Sequence, residues 1–313
     1  MKSKKIAILG ATSHIAKGLI CNFIEEGKNK LFLFARTPKR AKDFIKSNRL
    51  KGDVNIFGFN DFAHKEYDFI INCVGMGTPN KVKDNQILVF NITEEYDNLI
   101  LDYLSKFSQS SCINFSSGAV YGSSFNEAVG DSTVRKIKAN NISREEYYGL
   151  AKMNSEAKHR AQNDLNIVDV RIFAYFSRFI DLDSGYILTQ LIDSIKRKKE
   201  FVTNSCDFVR DYLNPIDLFK LVKLITNSKP MNAAIDAYSL APVTKFEILK
   251  FFSKAYGLKY KIKDNIDFLC PTGKKSVYYS NSRKAARLGY KPQYSSIRTI
   301  EEESKIIIGQ NHE

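Results

Sequence analysis

Two adjacent tyrosines and a lysine lie in the polar stretch REEYYGLAKMNSEA, which spans residues 144–157. Lys152 follows Tyr148 by four positions, so the two side chains share one face if the stretch is helical. An ion pair is excluded near neutral pH, because a tyrosine has an ordinary pKa of about 10. A nearby cation lowers that pKa, and the stretch therefore fits a tyrosine used as a general acid or base. The alternative is a surface pair without a chemical role.

Short apolar runs alternate with helical patterns through the first half of the chain and must hold these side chains in place. Near-continuous apolar strands separated by helices are typical of a parallel sheet covered on both faces. We therefore predict an α/β fold with a doubly wound, Rossmann-like parallel sheet. The pattern changes near residue 174, which predicts a dinucleotide-binding domain at 1–174 and a smaller, interleaved α/β substrate lobe at 175–313. Strands are predicted at 5–10, 30–35, 53–59, 67–75, 111–117 and 165–173, and helices at 14–26, 83–107 and 185–198.

The first predicted strand runs into GATSHIAKG, where a dinucleotide-binding fold places its phosphate-binding turn. Gly10, Ser13 and Ala16 hold the positions of a glycine fingerprint in which small residues replace two of the glycines. Gly10 permits the tight turn, and small side chains let a pyrophosphate approach the start of the helix. We expect the cofactor to contact this turn through Gly10, Thr12, Ser13, His14 and Ile15.

The end of the second strand, FLFARTPKR, contains Arg36, Lys39 and Arg40 and no acid. NAD enzymes of this fold place Asp or Glu there to bind the ribose 2′-hydroxyl, whereas a guanidinium suits a 2′-phosphate. The sequence thus favours NADP (as NADPH), with NAD as the alternative cofactor and a solvated basic helix start as the alternative role. From position alone, we expect the end of the fourth strand, with Val74 and Gly75, to lie under the nicotinamide ribose. Asp61, after the third strand, is expected near the adenine.

Ahead of the Tyr–Lys pair lies NFSSGAVYG (114–122), a predicted strand end with two serines. Together with the glycine turn and YGLAK, this segment resembles the extended short-chain dehydrogenase/reductase family. The resemblance implies that a serine, a tyrosine and a lysine carry the reaction. Hydride would move between the nicotinamide and a carbon while the tyrosine transfers a proton on oxygen, its pKa lowered by the lysine and the oxidised nicotinamide. The family's spacing selects Ser117, Tyr148 and Lys152 over Ser116 and Tyr147.

The run VRDYLNPIDL (209–218) and the later YYSNSRKAARLGYKP resemble the nucleotide-sugar epimerases and reductases of that family. The resemblance implies that Arg210 binds the diphosphate of a nucleotide-sugar substrate. Asp211 and Asp217 are expected to have structural roles, such as capping a helix that starts near Pro215. Arg171 is a second candidate for binding substrate, and a packed or paired arginine is the alternative.

The missing acid after the second strand favours a reductase that consumes NADPH, and the resemblance implies that its substrate is a nucleotide-linked 4-keto-6-deoxy or dideoxy sugar. Such enzymes serve surface polysaccharide synthesis. A nucleotide-sugar 4-epimerase, which recycles its own bound NAD, is the alternative. The acid pair of the 4,6-dehydratases is not evident, because Ser117 is followed by GAVYG. We expect the loops 76–81, 123–141 and 177–190 to decide the sugar and the base.

The composition narrows the range of partners. The 313 residues carry a formal net charge of +14, but the lysines are spread over many segments. That distribution favours a phosphate-bearing small ligand over nucleic acid, with a non-catalytic RNA-binding or sensor relative as a lesser alternative. Five scattered cysteines without a C-x-x-C pair indicate a cytoplasmic protein with no metal site. No apolar run approaches the roughly 20 residues of a membrane span, and the resemblance implies a homodimer.

Overall fold

The computed structural model describes residues 3–76, 86–263 and 275–309. Its centre is a sheet of seven strands, numbered along the chain: β1 (Lys5–Leu9), β2 (Lys30–Phe34), β3 (Val54–Phe57), β4 (Phe69–Asn72), β5 (Ser111–Ser117), β6 (Asn166–Ile172) and β11 (Ala233–Asp236). All neighbouring strands are parallel, and their spatial order is β11-β6-β5-β4-β1-β2-β3. The order reverses between β1 and β4, the switch point at which such sheets bind ligands. The predicted fold class is confirmed.

Five helices cover the two faces of this sheet: α1 (His14–Glu26), α2 (Pro38–Ser47), α3 (Ile87–Lys106), α4 (Tyr147–Ala161) and α6 (Pro215–Asn227). Three more belong to the second lobe: α5 (Ile187–Lys196), α7 (Lys245–Tyr256) and α8 (Ser296–Gly309). Successive side chains of a strand point to opposite faces. Ile6 and Ile8 of β1 therefore share a core with α1 and α6, whereas Ala7 and Leu9 share one with α3. Within the described residues, no helix has the length and apolar character to cross a membrane.

The second half of the chain adds short strands outside the main sheet: β7 (Ala174–Tyr175), β8 (Phe201–Thr203), β9 (Val209–Arg210), β10 (Tyr212–Leu213), β12 (Val243–Thr244), β13 (Tyr260–Ile262) and β14 (Val277–Tyr278). With α5, α7 and α8 they enclose a separate core that includes Phe176, Leu191, Phe252 and Ile300. However, α6 packs against the first core and β11 pairs with β6. The chain thus crosses between the two lobes more than once, and a division at residue 174 stays a prediction.

Most observed elements are shorter than the predicted ones, whereas α1 and β5 have the predicted bounds. β4 ends at Asn72; the N–H of Cys73 still donates to Leu9 of β1 at 3.0 Å, whereas the N–H of Val74 donates to the side-chain oxygen of Asn72 at 3.0 Å. The helix predicted over 83–107 is observed as Ile87–Lys106, and residues 83–85 lie outside the described ranges. The helix predicted over 185–198 is observed as Ile187–Lys196.

Candidate active site

The turn after β1 packs against the end of β4 at the switch point. Gly10 has a φ of +74°, a left-handed conformation that is costly for other residues. A Cβ at this position would lie 3.0 Å from the carbonyl group of Cys73 and 3.1 Å from the amide nitrogen of Val74. Glycine therefore lets the two candidate cofactor-binding segments touch. Ser13 then caps α1, its hydroxyl accepting the N–H of Ala16 at 3.3 Å.

The other residues of the turn have different surroundings. Thr12 is exposed, and Ile15, in the first turn of α1, packs against the core that α1 shares with β1. His14 faces the second lobe, with its Nε2 3.4 Å from the carbonyl oxygen of Ser177 and its ring against the ring of Tyr175. Burial lowers the pKa of His14 to about 3. The imidazole is therefore neutral near pH 7 and adds no charge to the turn.

The end of β2 is basic and open to solvent. Arg36 follows β2, and its side chain is exposed together with those of Lys39 and Arg40. Burial raises the pKa of Tyr96 on α3, and the charge of Arg36 partly opposes that rise, so the guanidinium lies within electrostatic range of α3. Asp61 is also exposed, in the 3₁₀ helix Phe59–His64 that follows β3.

Ser117 and Tyr148 meet at the carboxyl end of β5. Ser117 is buried, and its hydroxyl accepts the N–H of Ala119 at 3.2 Å. Tyr148 lies in the first turn of α4, and its hydroxyl is close enough to that of Ser117 for the serine to favour its ionised form. The helix can approach this closely because of Gly149, where a Cβ would overlap the carbonyl oxygen of Ala119. Burial raises the pKa of Tyr148 to about 12, and the interaction with the hydroxyl of Ser117 offsets only part of this rise.

Lys152 lies one turn after the tyrosine and is 4% exposed. Its ammonium donates to the carbonyl oxygen of Phe115 at 3.0 Å. A Cβ on Gly75, beyond the end of β4, would lie 3.6 Å from the same nitrogen. Burial lowers the pKa of Lys152, and the carboxylates of Asp169 and Asp97 oppose that effect. In the protein, Tyr148 is thus a weaker acid than free tyrosine. A pKa below the ordinary value would have to come from a bound cofactor.

The neighbouring serine, Ser116, points away from this site. Its hydroxyl donates to Glu156 at 2.6 Å, and Glu156 is paired with Arg171 at 2.6 Å. Arg171 also donates to the hydroxyl of Tyr121 at 2.8 Å. Arg171 is therefore a paired structural residue, the alternative that the sequence had left open. The orientation of the two serines supports the choice of Ser117.

A third tyrosine lies against the same serine. The hydroxyl of Tyr278, in β14, is 3.1 Å from Oγ of Ser117. Two cations flank its ring: the guanidinium carbon of Arg210 is 5.8 Å from the ring centroid, and Nζ of Lys275 is 5.0 Å from it. Arg210 also stacks on Phe208, at 4.4 Å. The structure thus brings Arg210 to the wall of the site and places a second, buried cation beside it.

Sequence reasoning missed three residues of this site: Tyr278, Lys275 and Tyr186. Tyr186 precedes α5 and is 38% exposed; burial of its hydroxyl raises its pKa, and Tyr148 and Tyr278 lie within electrostatic range and add to the rise. Tyr278 opens the run YYSNSRKAARLGYKP, whose resemblance to the family is the signal that points to it. Lys275 and Tyr186 lie in segments without a recognisable pattern.

The acids of VRDYLNPIDL have structural roles, but not the expected capping role. Asn214 caps α6, because its side chain accepts a backbone N–H of the first turn at 2.8 Å. Asp217 instead accepts the backbone N–H of Gln293 at 2.9 Å. Asp211 accepts the backbone N–H of Ser239 at 3.1 Å. Both acids thus bind backbone N–H groups of other segments, and capping, the example that the sequence suggested, is done by Asn214.

The long connection 118–143 lines one side of the site. Arg135 in this connection pairs with Glu146, just ahead of α4. The ring of Phe125 lies 5.7 Å from that of Tyr278. The connection is thus attached both to α4 and to the strand that carries Tyr278. In the ranges 3–76, 86–263 and 275–309, no group of His, Cys, Asp and Glu is arranged to hold a metal ion.

Solved structures share this fold over nearly their whole length. UDP-glucuronic acid 4-epimerase from Bacillus cereus, in complex with UDP-glucuronic acid and NAD, has a TM-score of 0.80 at 16% identity, covering 98% of this chain and 99% of that chain. UDP-glucose 4-epimerase from Thermotoga maritima, with UDP-glucose, has a TM-score of 0.79 at 15% identity, covering 99% and 100%. For dTDP-glucose 4,6-dehydratase from Bacillus anthracis, in complex with NAD, the values are 0.77, 13%, 99% and 97%. At these identities the similarity shows the fold.

No curated protein sequence matches the chain. The model of the NAD dependent epimerase/dehydratase family matches residues 6–262. That range contains the glycine turn, the serine at the end of β5, the Tyr–Lys helix and Arg210, whereas Lys275 and Tyr278 lie beyond it. The match covers well over half of the chain. It agrees with the observed parallel sheet and with the grouping of Ser117, Tyr148 and Lys152 at one end of that sheet. The chain therefore belongs to the NAD dependent epimerase/dehydratase family, in the extended short-chain dehydrogenase/reductase branch.

Proposed function

We propose that the chain is an NADPH-dependent reductase of a nucleotide-linked 4-keto-6-deoxy or dideoxy sugar, serving surface polysaccharide synthesis. The observation that carries this proposal is Arg36, exposed at the end of β2 in a run that contains no acid. A guanidinium there binds a 2′-phosphate, which a carboxylate would repel. A reductase takes NADPH from solution and needs this discrimination, whereas an enzyme that recycles bound NAD does not.

The residues of the switch point fit a nicotinamide dinucleotide. Gly10 keeps the backbone open at the start of α1, where free N–H groups bind a pyrophosphate. Val74 and Gly75 lead from that turn to Lys152, whose ammonium lies 3.6 Å from the position of a Cβ on Gly75. The cofactor supplies the hydride when bound. Thr12, Ser13, His14, Ile15 and Asp61 remain predicted contacts.

The protein's own part in the reaction is the handling of a proton on oxygen. Tyr148 gives its proton to the oxygen of the sugar carbonyl, and Ser117 holds that oxygen by a hydrogen bond. The two hydroxyls are near neighbours, so a single substrate oxygen can reach both. Lys152 contributes positive charge on the same helix face, one turn away.

The substrate proposal rests on two cations beside Tyr278. Arg210 and Lys275 flank one ring whose hydroxyl reaches Ser117, so a nucleoside diphosphate bound by them would place its sugar near that serine. Two phosphates match two cations, and an arginine can bind a phosphate with two parallel hydrogen bonds. A homodimer through α3 and α4 is part of the same proposal.

A second candidate is an NAD-dependent nucleotide-sugar 4-epimerase. The solved 4-epimerases with this fold favour it. The same Ser117, Tyr148 and Lys152 serve such a reaction, because an epimerase removes the hydride from the sugar and returns it to the other face. The two candidates differ in the cofactor that they need and in whether they release it.

Purified protein, with any retained nucleotide extracted and identified, separates the candidates. The expected result is protein without tightly held NAD that oxidises added NADPH, but not NADH, in the presence of a dTDP-linked 4-keto-6-deoxy sugar. Retained NAD, with interconversion of UDP-glucose and UDP-galactose without added cofactor, would support the epimerase and reject the reductase. Binding of RNA together with no turnover would reject both.

A further inference from the structure

A row of buried polar side chains crosses the apolar sheet beside the site. Asn72, Asn114 and Asp169 are direct neighbours in register on β4, β5 and β6. The amide of Asn72 donates to Asn114 at 3.0 Å, and the amide of Asn114 donates to Asp169 at 2.7 Å. Beyond them, His159 of α4 lies between Asp169, 3.0 Å from its Nδ1, and Asp97 of α3, 2.7 Å from its Nε2. We name these five side chains the polar row.

The polar row has one consistent direction of hydrogen bonding. At one end, the backbone N–H of Val74 can only donate, and the side-chain oxygen of Asn72 accepts it at 3.0 Å. At the other end, the carboxylate of Asp169 can only accept. The amides of Asn72 and Asn114 must therefore both donate toward Asp169. A buried network whose members are paired in this way holds a single arrangement.

His159 carries a positive charge in this arrangement. Both of its ring nitrogens face carboxylates, which accept but do not donate, so both nitrogens must carry hydrogen. Burial alone would lower the pKa of His159, but the hydrogen bonds with Asp169 and Asp97 raise it to about 9. Lys158 and Arg160 pair with the same two carboxylates from the outside, at 2.6 and 2.8 Å.

The inner end of the polar row is the candidate cofactor-binding segment 72–75. Asn72 fixes the N–H of Val74, and the same nitrogen lies 3.1 Å from the position of a Cβ on Gly10. Gly75 then approaches the ammonium of Lys152. The segment is thus held between the phosphate-binding turn and the lysine, and a small shift would move several predicted cofactor contacts together.

The polar row also acts on the charge of Lys152. Burial lowers the pKa of Lys152, and four groups oppose this: Asp169 on β6 most strongly, then Asp97 on α3, Glu156 on its own helix and Cys73 after β4. The two largest opposing contributions come from the polar row. The ammonium itself donates a hydrogen bond to the uncharged carbonyl of Phe115 on β5.

We propose that the polar row is a positioning device for the dinucleotide: it fixes segment 72–75 and holds negative charge behind Lys152. Its members are positioning residues, because they act through the backbone at Val74 and through the ammonium of Lys152. The inference rests on the proposed dinucleotide site and is independent of which sugar is the substrate.

Asn114→Leu interrupts the polar row without changing a charge. Asn72 then loses its acceptor and is free to turn, and we expect the dissociation constant for NADPH, or for NADH if that binds better, to rise about tenfold in calorimetry. Glu303→Gln is the matched control for a second variant, Asp97→Asn, because each change turns a buried, ion-paired carboxylate into its amide. Glu303 lies 2.7 Å from Arg178 in the second lobe, and its replacement should leave cofactor affinity unchanged.

Asp97→Asn tests the charge, with a readout that a structural role alone would not move. Protonated Lys152 favours the anionic dinucleotide, so affinity falls as pH rises through the pKa of the lysine. Removing Asp97 takes away a charge that raises this pKa, and the alkaline fall in affinity should begin at lower pH. A purely structural defect would weaken binding equally at every pH.

Unchanged affinity in Asn114→Leu together with an unshifted pH profile in Asp97→Asn would overturn the inference. If Asn114→Leu does not fold, the pH profile of Asp97→Asn decides alone. Failure of the unmodified protein to bind either dinucleotide would overturn the proposed function, and this inference with it. Binding that the variants leave untouched would overturn this inference alone.

Discussion

Replacing Tyr148 with phenylalanine tests the acid/base assignment most directly. The change removes one oxygen from a ring that packs beside Val89 and Ala151, so the packing of α3 against α4 stays. Loss of the polar interaction with Ser117 should cost at most about 1 kcal/mol of folding free energy, the value of an ordinary hydrogen bond. A positioned general acid, in contrast, contributes about 10²–10⁴-fold to rate. We therefore expect turnover to fall by about a thousandfold with cofactor affinity nearly unchanged.

Tyr147→Phe is the matched control for this experiment. Tyr147 is the adjacent residue, and its ring packs on that of Phe90 at 5.7 Å. Removing its hydroxyl should leave turnover within about twofold, because surface changes of this kind cost little. Single-turnover hydride transfer, measured with the cofactor dissociation constant, separates chemistry from binding. Retention of near-normal turnover in Tyr148→Phe, or an equal loss in both variants, would refute the assignment.

Three further predictions address the cofactor and the packing of the site. Arg36→Glu should weaken NADPH binding by at least about tenfold and NADH binding far less, with Lys39→Glu as the calorimetric control; equal losses for both cofactors would contradict the 2′-phosphate contact. Gly149→Ala drives a Cβ into the carbonyl of Ala119 and should cost about 1–3 kcal/mol in chemical denaturation, so an unchanged unfolding midpoint would be inconsistent with this packing. Oxidised cofactor should lower the raised pKa of Tyr148 without bringing it down to neutrality, so the affinity for oxidised cofactor should rise with pH above neutrality, and a flat alkaline profile would count against that coupling.

The central sheet was predictable because its strands are buried on both faces. In β1, KIAIL, Ile6 and Ile8 enter one core and Ala7 and Leu9 the other, which produces a near-continuous apolar run. β11 gave no such signal. Its sequence is AAID, and it reaches β6 from the second half of the chain, so its place depends on a long-range pairing that a local pattern does not reveal.

The residues of the site likewise divide into those that a local pattern predicts and those that depend on long-range packing. Lys152 follows Tyr148 by four residues, a spacing that can be recognised within one helix. Tyr278 reaches Ser117 across 161 positions of sequence, and its part in the site depends on how β14 packs in the second lobe. The polar row had only a weak local signal: Asn72 ends β4, and Asn114 and Asp169 interrupt the apolar runs of β5 and β6. Only the register shows that the three are neighbours.

The two candidate reactions require opposite protonation states of Tyr148 at the start. A reductase needs the tyrosine protonated at the start, and burial, which raises its pKa to about 12, ensures this. An epimerase first needs a tyrosinate to take the proton of a sugar hydroxyl, so a bound oxidised nicotinamide must lower the pKa by several units. Release of close to one proton when oxidised cofactor binds at neutral pH would therefore favour the epimerase. Binding without proton release would favour the reductase, because the protein then keeps Tyr148 as an acid.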